Sequence, residues 1–310
     1  MSAAAGFQAV QDSMAIRPPQ SVRVPIGRCM VDSCSFEQAQ SAILAHASAC
    51  GETAYVITPN AQHIVLLNED TRLREIYRNA NLVLPDGISL VFAARMFGHE
   101  LPERVTGVDL FQSLCAGAAK AKIKVFFLGG RPNSAELCAA ALRQRNPGLD
   151  VETYCPDMGF ENDPAELENI ANKIRTSGAR ILFAGLGTPK QEYWIYDHGI
   201  HLGVSVCIGI GGSFEMVSGV VKRAPQWVQA LACEWLYRLC IEPRRMWRRY
   251  LIGNSQFISI ILNQRITRMI FSSLVRMLYS SSFTVEAQDP KVCAKAIEVL
   301  SRQPASAEQD

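Results

Sequence analysis

The sequence lacks several features that would place a protein in a class directly. Its ten cysteines form no CxxC pair and no metal-ligand spacing with the five histidines, which favours reduced thiols over a zinc site or a disulfide framework. No uncharged apolar run approaches the ~20 residues that cross a bilayer. The first twenty residues have neither the basic cluster nor the apolar stretch of a signal peptide. These absences predict a cytoplasmic protein that does not span a membrane.

Motifs for cofactors and metals are also missing. No Walker loop occurs, and no glycine-rich segment completes the GxGxxG fingerprint of dinucleotide enzymes. No Asp-x-Asp occurs, so a divalent metal bridging a nucleotide diphosphate has no evident ligands. We therefore expect neither a cofactor nor a metal. If the substrate is a nucleotide diphosphate, arginines and backbone N–H groups would have to stabilise the leaving pyrophosphate.

Acidic residues are scarce in one part of the chain. The formal net charge is only +2, but residues 222–276 contain ten Lys and Arg against two acids, Glu234 and Glu242. Such a basic segment indicates an anionic partner, either a phosphate-rich lipid surface or nucleic acid. Three of the four tryptophans lie in the same segment, and tryptophan prefers the membrane interface. The combination favours a membrane surface.

The apolar runs that the sequence does contain are short, and they end in turn or glycine signals, which is typical of buried strands. They cover residues 54–60, 81–87, 124–130, 180–187 and 205–212. Helical patterns lie between them, for example over 134–145 and 163–176. Strands that alternate with helices predict an α/β protein with a Rossmann-like, mostly parallel sheet. The ligand site of such a sheet lies outside the carboxyl ends of the strands.

Composition divides the chain into four predicted segments. Residues 1–20 are a disordered N-terminal extension, and residues 21–225 form the α/β core. Residues 226–280 form a helical, basic appendage of two or three helices, broken at Pro243 and Gly253. Residues 281–310 are a flexible tail.

A basic amphipathic helix is predicted near the end of the appendage. One side of it carries apolar residues and the other side carries arginines. The apolar residues are Ile266, Met269, Ile270, Leu274, Met277 and Leu278, and the arginines are Arg265, Arg268 and Arg276. The apolar stripe either packs on the α/β core, with the arginines as a solvated face, or binds a membrane.

Polar residues at two predicted strand ends are candidates for chemistry. Asp86, in Leu-Pro-Asp-Gly, projects from a strand-end turn and is either a catalytic base or an ordinary turn residue. Thr58 and Asn60 offer a hydroxyl and an amide to substrate, while Asn60 is also suited to cap a helix beginning near Ala61. His63, one turn later, is interpreted as a helix-surface residue.

Phosphate groups have separate candidates. Arg104 could neutralise phosphate through paired hydrogen bonds, or it could belong to an exposed Glu–Arg face. Two strand-to-helix junctions, GLGTPKQEYW and GIGGSFE, carry glycines whose loops could cradle phosphate oxygens. The candidates in and beside these loops are Gly185, Gly187, Gln191, Gly209 and Gly211, with Gly129 at the end of a third run.

Taken in order, the motifs TPNAQH, LPDGISLVFAARMFG, LPERVTGVDL, FFLGG, GLGTPKQEYWI, GIGGSFE and RAPQWVQALACEWLYRLCIEPRRMWRRY resemble the WecG/TagA/CpsF glycosyltransferases, family 26. The resemblance runs from about Val24 to Tyr250. It implies a Rossmann-like fold with a C-terminal appendage. It also implies a metal-independent, inverting enzyme that moves a sugar from a nucleotide diphosphate donor to an undecaprenyl-pyrophosphate-linked sugar at the cytoplasmic membrane face.

The resemblance also implies roles for individual residues. Asp86 matches the proposed base, and Thr58 and Asn60 match substrate-positioning residues. Arg104 matches a cleft arginine and Gln191 the glutamine of PKQE. The appendage arginines that reach the active site match Arg238, Arg245 and Arg248.

The sugar itself stays open among N-acetylmannosamine, its uronic acid and glucose. The expected partners are the nucleotide sugar, the polyprenyl-linked acceptor and an anionic membrane surface, without nucleic acid and with room for a homo-oligomer. A non-catalytic basic module that binds anionic lipid or nucleic acid is the rival interpretation, and it leaves Asp86, Thr58 and Asn60 without a purpose.

Overall fold

A six-stranded parallel sheet forms the centre of the protein in the computed structural model, which describes residues 16–19, 21–49, 51–230 and 234–280. The strand order is β4-β3-β8-β7-β5-β6, and a separate antiparallel hairpin is formed by β1 and β2. The strands are β1 (Val22–Ile26), β2 (Cys29–Ser33), β3 (Ala54–Ile57), β4 (Leu82–Val83), β5 (Val125–Gly129), β6 (Val151–Tyr154), β7 (Ile181–Gly185) and β8 (Val206–Gly209). The predicted Rossmann-like α/β fold is therefore confirmed.

Helices connect and flank these strands. They are α1 (Phe36–Ala49), α2 (Ala61–Glu69), α3 (Thr71–Asn79), α4 (Ile88–Met96), α5 (Gly107–Ala121), α6 (Ser134–Arg145), α7 (Pro164–Ser177), α8 (Lys190–Asp197), α9 (Ser213–Val217), α10 (Gln226–Ala230), α11 (Glu234–Ile241), α12 (Pro243–Trp247) and α13 (Gly253–Ser280). Short 3₁₀ turns span Phe160–Asn162 and Gly199–His201, and a π turn spans Arg248–Ile252. The helices predicted over 134–145 and 163–176 match α6 and α7. By compactness the chain divides into residues 1–265 and 266–310.

The strands are apolar along their whole length because both faces of the sheet are covered. Side chains of a strand point alternately to opposite faces. Accordingly, Val125 and Phe127 of β5 enter one buried cluster, while Phe126 and Leu128 enter the other. This explains why each apolar run in the sequence shows no alternation between apolar and polar residues.

The hairpin covers the edge of the sheet at β4 through one buried carboxylate. Asp32 is fully buried, with Oδ1 3.1 Å from Arg17 Nε and 3.2 Å from Arg23 Nε. Its Oδ2 accepts the Val83 N–H of the edge strand at 2.7 Å. Burial raises the pKa of Asp32, and the two arginines oppose that shift. Arg17 and the buried Ile16 thus fix part of the predicted N-terminal extension.

We expect Asp32→Ala to lower the free energy of unfolding by about 3 kcal/mol, because it leaves buried donors without their acceptor. Urea unfolding followed by circular dichroism measures the change. Asp197→Ala is the matched control, since its ion pair with Arg72 is exposed and such pairs contribute at most about 1 kcal/mol. Equal losses in the two variants would contradict the role given to Asp32.

The appendage is helical, and one helix ends and another begins at the predicted break before Pro243, but not at the predicted break at Gly253. Pro243 is the first residue of α12, a position where proline costs no hydrogen bond. Gly253 does not break the chain, because its backbone is helical (φ −62°, ψ −40°) and follows directly from the π turn. The predicted break there is wrong. Phe257 and Ile261 are buried in the core cluster that includes the hairpin, and Gly27 N–H donates to Gln264 Oε1 at 2.8 Å.

In the second unit, the predicted amphipathic pattern falls on the end of α13. Ile266, Met269, Ile270 and Leu274 are all exposed. The side chains of Arg276, Met277 and Leu278 lie outside the described residues, as do the predicted tail 281–310 and residues 1–15 of the predicted extension. No helix in the described part of the chain is both long and apolar enough to cross a membrane.

Candidate active site

A cavity of about 500 Å³ opens at the carboxyl ends of β3 and β4. Its wall includes four residues that the sequence analysis selected, Asn60, Asp86, Arg104 and Arg238. Asn60 and Asp86 meet because parallel strands place their carboxyl ends at one edge of the sheet. Arg104 comes from the segment before α5 and Arg238 from α11. This edge is therefore the candidate site.

Asp86 lies in the turn that follows β4. The turn is held by two backbone bonds, from Asp86 N–H to Pro59 C=O at 2.9 Å and from Val105 N–H to Pro85 C=O at 2.8 Å. Asp86 Oδ1 accepts the Gly107 N–H at 3.2 Å. Burial raises the pKa of Asp86 to about 6, while the Gly107 bond and the Arg104 charge oppose the shift. A carboxyl group with a raised pKa at a cavity wall is suited to proton transfer near neutral pH.

Asn60 and Thr58 follow the neighbouring strand β3. Asn60 is the N-cap of α2, and its side chain accepts the Gln62 N–H at 3.0 Å, which confirms the predicted capping role. It also lines the cavity, so capping leaves the residue available to substrate. Thr58 is buried beside Gly107 and does not reach the cavity wall.

Arg104 is paired with a carboxylate of the appendage. Its Nη1 lies 3.0 Å from Glu234 Oε2, and Glu234 Oε1 lies 3.6 Å from Arg223 Nε. Arg223 also donates two hydrogen bonds to Asp109, at 2.6 and 2.8 Å. The cavity thus contains two guanidinium groups whose carboxylate partner could be replaced by the phosphate groups of a ligand.

A second cavity of about 330 Å³ lies over the loops that follow β5, β7 and β8. Gly187 (φ +79°) and Gly211 (φ +53°) line it in the left-handed backbone region, and a side chain added at either would meet no atom within 4 Å. Their loops therefore present open backbone to the cavity. Gly185 lines it as well. Backbone of this kind is suited to bind phosphate oxygens.

Three predicted residues lie beneath the loops instead of in either cavity. A Cβ on Gly129 would approach Leu186 Cδ2 to 2.5 Å, and a Cβ on Gly209 would approach Gln191 Nε2 to 2.6 Å. Gln191 is buried, and its Oε1 accepts the Gly211 N–H at 3.0 Å. Gly129 and Gly209 thus permit close packing, and Gln191 supports a loop.

The appendage arginines are not equivalent. Arg238 lines both cavities and donates to Met216 Sδ at 2.9 Å. Arg248 is exposed and lies over the Trp247 ring, 5.3 Å from its centroid, so it reaches neither cavity. The side chain of Arg245 is outside the described residues. Of the two whose side chains the structure describes, Arg238 lies at the site and Arg248 does not.

Sequence reasoning missed several residues that the structure places in or near the site. Arg223, Glu234 and Met246 line the cavities, and Glu215 accepts the Arg131 N–H at 2.8 Å. A metal has no evident site, since no group of three or more His, Cys, Asp or Glu residues that could hold an ion occurs among the described residues.

The fold and site together define a Rossmann-like α/β protein with a buried carboxyl group, cavity arginines and glycine loops at the carboxyl edge of its sheet. More particularly, the chain belongs to the glycosyl transferase WecG/TagA/CpsF family, whose profile matches residues 24–270. The resemblance read from the motifs is thereby confirmed.

Two curated relatives share a name, N-acetylglucosaminyldiphosphoundecaprenol N-acetyl-beta-D-mannosaminyltransferase. The protein from Bacillus spizizenii W23 is 32% identical over 212 residues, which cover 68% of this chain and 80% of the relative. The protein from Bacillus subtilis 168 is 31% identical over 198 residues, which cover 64% and 75%.

Proposed function

We propose that this glycosyltransferase transfers a sugar, with inversion and without a metal, from a nucleotide diphosphate to an undecaprenyl-pyrophosphate-linked sugar in cell-surface polysaccharide synthesis. The observation that carries the proposal is the position of Asp86, whose carboxyl group has a raised pKa in a cavity that adjoins a glycine-lined one. The cavities share Arg238.

The first cavity supports deprotonation of the acceptor. Asp86 in its carboxylate form takes the proton of the acceptor hydroxyl, and the hydroxyl oxygen forms a bond to the anomeric carbon of the donor. At the same time the bond from that carbon to the diphosphate oxygen breaks, and the electron pair leaves with the nucleotide diphosphate. One such displacement inverts the anomeric configuration. Asn60, at the same wall, positions the sugar hydroxyls.

The second cavity and the arginines support departure of the diphosphate. The charge on the leaving oxygen grows in the transition state, and groups that already point at it lower the barrier most. Gly187 and Gly211 offer backbone, and Arg238 offers a guanidinium group beside both cavities. Arg104 is held by Glu234 until a phosphate group competes for it, and Arg223, held mainly by Asp109, stands beside the same carboxylate.

The names of the two relatives favour N-acetylmannosamine as the transferred sugar and an N-acetylglucosaminyl-diphosphoundecaprenol acceptor. Family membership also favours an enzyme over a non-catalytic basic module. A glucose-type donor is the alternative, because these donor sugars differ only by small groups that a few side chains distinguish.

The function is tested by incubating the protein with a panel of nucleotide sugars and a pyrophosphoryl-lipid acceptor, with mass spectrometry of the lipid product. We expect a mass increment of one N-acetylhexosamine, and we expect the rate to persist in excess EDTA. Loss of the rate in EDTA with recovery in Mg²⁺ or Mn²⁺ would contradict metal independence. No increment with any donor would contradict the proposed transfer.

A further inference from the structure

A buried chain of hydrogen bonds joins the two loops that border the two cavities. It begins at His63 in the first turn of α2, where Nδ1 accepts the Asn60 N–H at 3.1 Å. A ring nitrogen that accepts from a backbone N–H carries no proton, so the proton of the neutral ring is on Nε2. Nε2 lies 2.9 Å from Thr188 Oγ1 and therefore donates to it.

The chain continues from Thr188 to the loop after β8. The Thr188 hydroxyl donates to Glu192 Oε1 at 3.3 Å, and Gln191 Nε2 donates to the same oxygen at 2.9 Å. Since the amide nitrogen of Gln191 is held there, its carbonyl oxygen faces the other way and accepts the Gly211 N–H. The donors thus run from both ends of these hydrogen bonds towards Glu192 Oε1, while Glu192 Oε2 accepts none among the described residues.

These contacts have a consequence beyond packing. Glu192 has no exposed surface and His63 is buried, so the chain lies in a low-dielectric interior where satisfied hydrogen bonds are strong and rigid. Its two ends lie at different cavities, with Asn60 at the wall of the first and Gly211 at the wall of the second. The distance between the two cavity walls therefore depends on this series of hydrogen bonds.

We propose that His63, acting with Thr188 and Glu192, is a positioning residue that sets the distance between the acceptor hydroxyl and the bound diphosphate. The proposal rests on the proposed function, in which the first cavity holds the acceptor and the second holds the donor. A misplacement of about 1 Å between reacting groups lowers the rate on the order of 10²-fold, so the chain has a large effect on kcat.

Two substitutions at His63 test the hydrogen bond to Thr188 separately from the bond that caps the helix. In His63→Asn, the side-chain oxygen can replace Nδ1 and keep the bond from Asn60, but it cannot reach Thr188. In His63→Gln, the longer amide can replace Nε2 and donate to Thr188, but the bond from Asn60 is lost. We expect His63→Asn to lose about 3 °C of Tm, because the buried bond to Thr188 is gone, and to lose kcat and kcat/KM equally, on the order of 10²-fold. We expect His63→Gln to lose about 3 °C of Tm and to recover most of kcat.

A merely structural role would lower the activity of both variants in proportion to their loss of stability. That outcome, or a wild-type kcat in His63→Asn, would overturn the proposal. Thr188→Val breaks the same link, so the double variant with His63→Asn should lose no more than either single variant. His46→Asn is the matched control, because His46 binds Glu52 C=O away from both cavities and its loss should leave kcat unchanged.

One readout does not depend on transfer. Nitrogen-15 NMR of the imidazole should show His63 protonated at Nε2 in the full-length protein, and protonation at Nδ1 would overturn the proposal whatever the assay shows. If wild-type protein transfers no sugar while the Nε2 tautomer is present, the proposed function fails and the hydrogen-bond chain does not.

Discussion

Replacing Asp86 by asparagine is expected to lower kcat by about 10²–10⁴-fold, the usual contribution of a general base. Asparagine keeps the size of the side chain and can still accept the Gly107 N–H, so the turn and the melting temperature should be retained. Binding of the nucleotide diphosphate should also be retained, because its proposed loops lie over the second cavity. Steady-state kinetics and calorimetry measure the two effects separately.

The pH dependence of the wild-type enzyme gives the same residue a second test. Burial raises the pKa of Asp86 to about 6, and the active form is the carboxylate. The rate should therefore be full above this pH and fall as the pH drops through about 6. The residual rate of Asp86→Asn should not show this fall at low pH. Asp197→Asn, a surface carboxylate change, is the control and should leave the profile unaltered. Near-normal turnover in the folded Asp86 variant would remove Asp86 from its proposed role.

The parts of the fold that were predictable are those with a local signal. The five apolar runs became β3, β4, β5, β7 and β8, because strands buried on both faces must be apolar throughout. The hairpin and β6 were missed. Strand β6 is mostly half-buried or exposed, and β1 contains a proline and an arginine, so neither shows a buried run. Asp32 secures the hairpin through contacts that no local pattern reveals.

In the site, too, some residues have a local sequence signal and others depend on contacts between distant parts of the sequence. Asp86 and Asn60 stand at strand ends, and the rule for parallel sheets brings them together before any coordinates are known. Glu234 is 130 residues from Arg104 in the sequence, so its pairing leaves no local trace. His63 resembled an ordinary helix-surface residue because one turn of sequence does not show that Thr188, 125 residues away, packs against it.

The appendage should dock reversibly on anionic bilayers, which is the second large effect that we expect. Within residues 226–265, exposed apolar side chains include Trp227, Trp247 and Leu251, and the end of α13 exposes Ile270 and Leu274. Residues 222–276 carry ten basic residues against two acids. Each basic residue near an anionic surface contributes about 1 kcal/mol, so a few engaged charges suffice for binding.

Two variants should separate the electrostatic part of this docking from the apolar part. Replacing the exposed Arg244 and Arg265 by glutamine should weaken binding at low salt by about 2 kcal/mol, or roughly 30-fold. Replacing Ile270 and Leu274 by serine should remove the binding that survives 1 M salt, where the Debye length is only ~3 Å. Each buried aliphatic side chain contributes at least about 1.5 kcal/mol, so the second loss is at least as large as the first.

Co-sedimentation with anionic and neutral vesicles at 0.1 M and 1 M salt distinguishes these effects. The control is Leu137→Ser, which alters an equally exposed leucine on α6, outside the appendage. Binding that falls as much in this control as in the Ile270 and Leu274 variant would show that the appendage is not the contact surface. If the full-length protein does not bind anionic vesicles at 0.1 M salt, the basic residues serve another purpose. Because the acceptor is proposed to be lipid-linked, binding and transfer should weaken together in the docking variants, whereas soluble nucleotide binding should not.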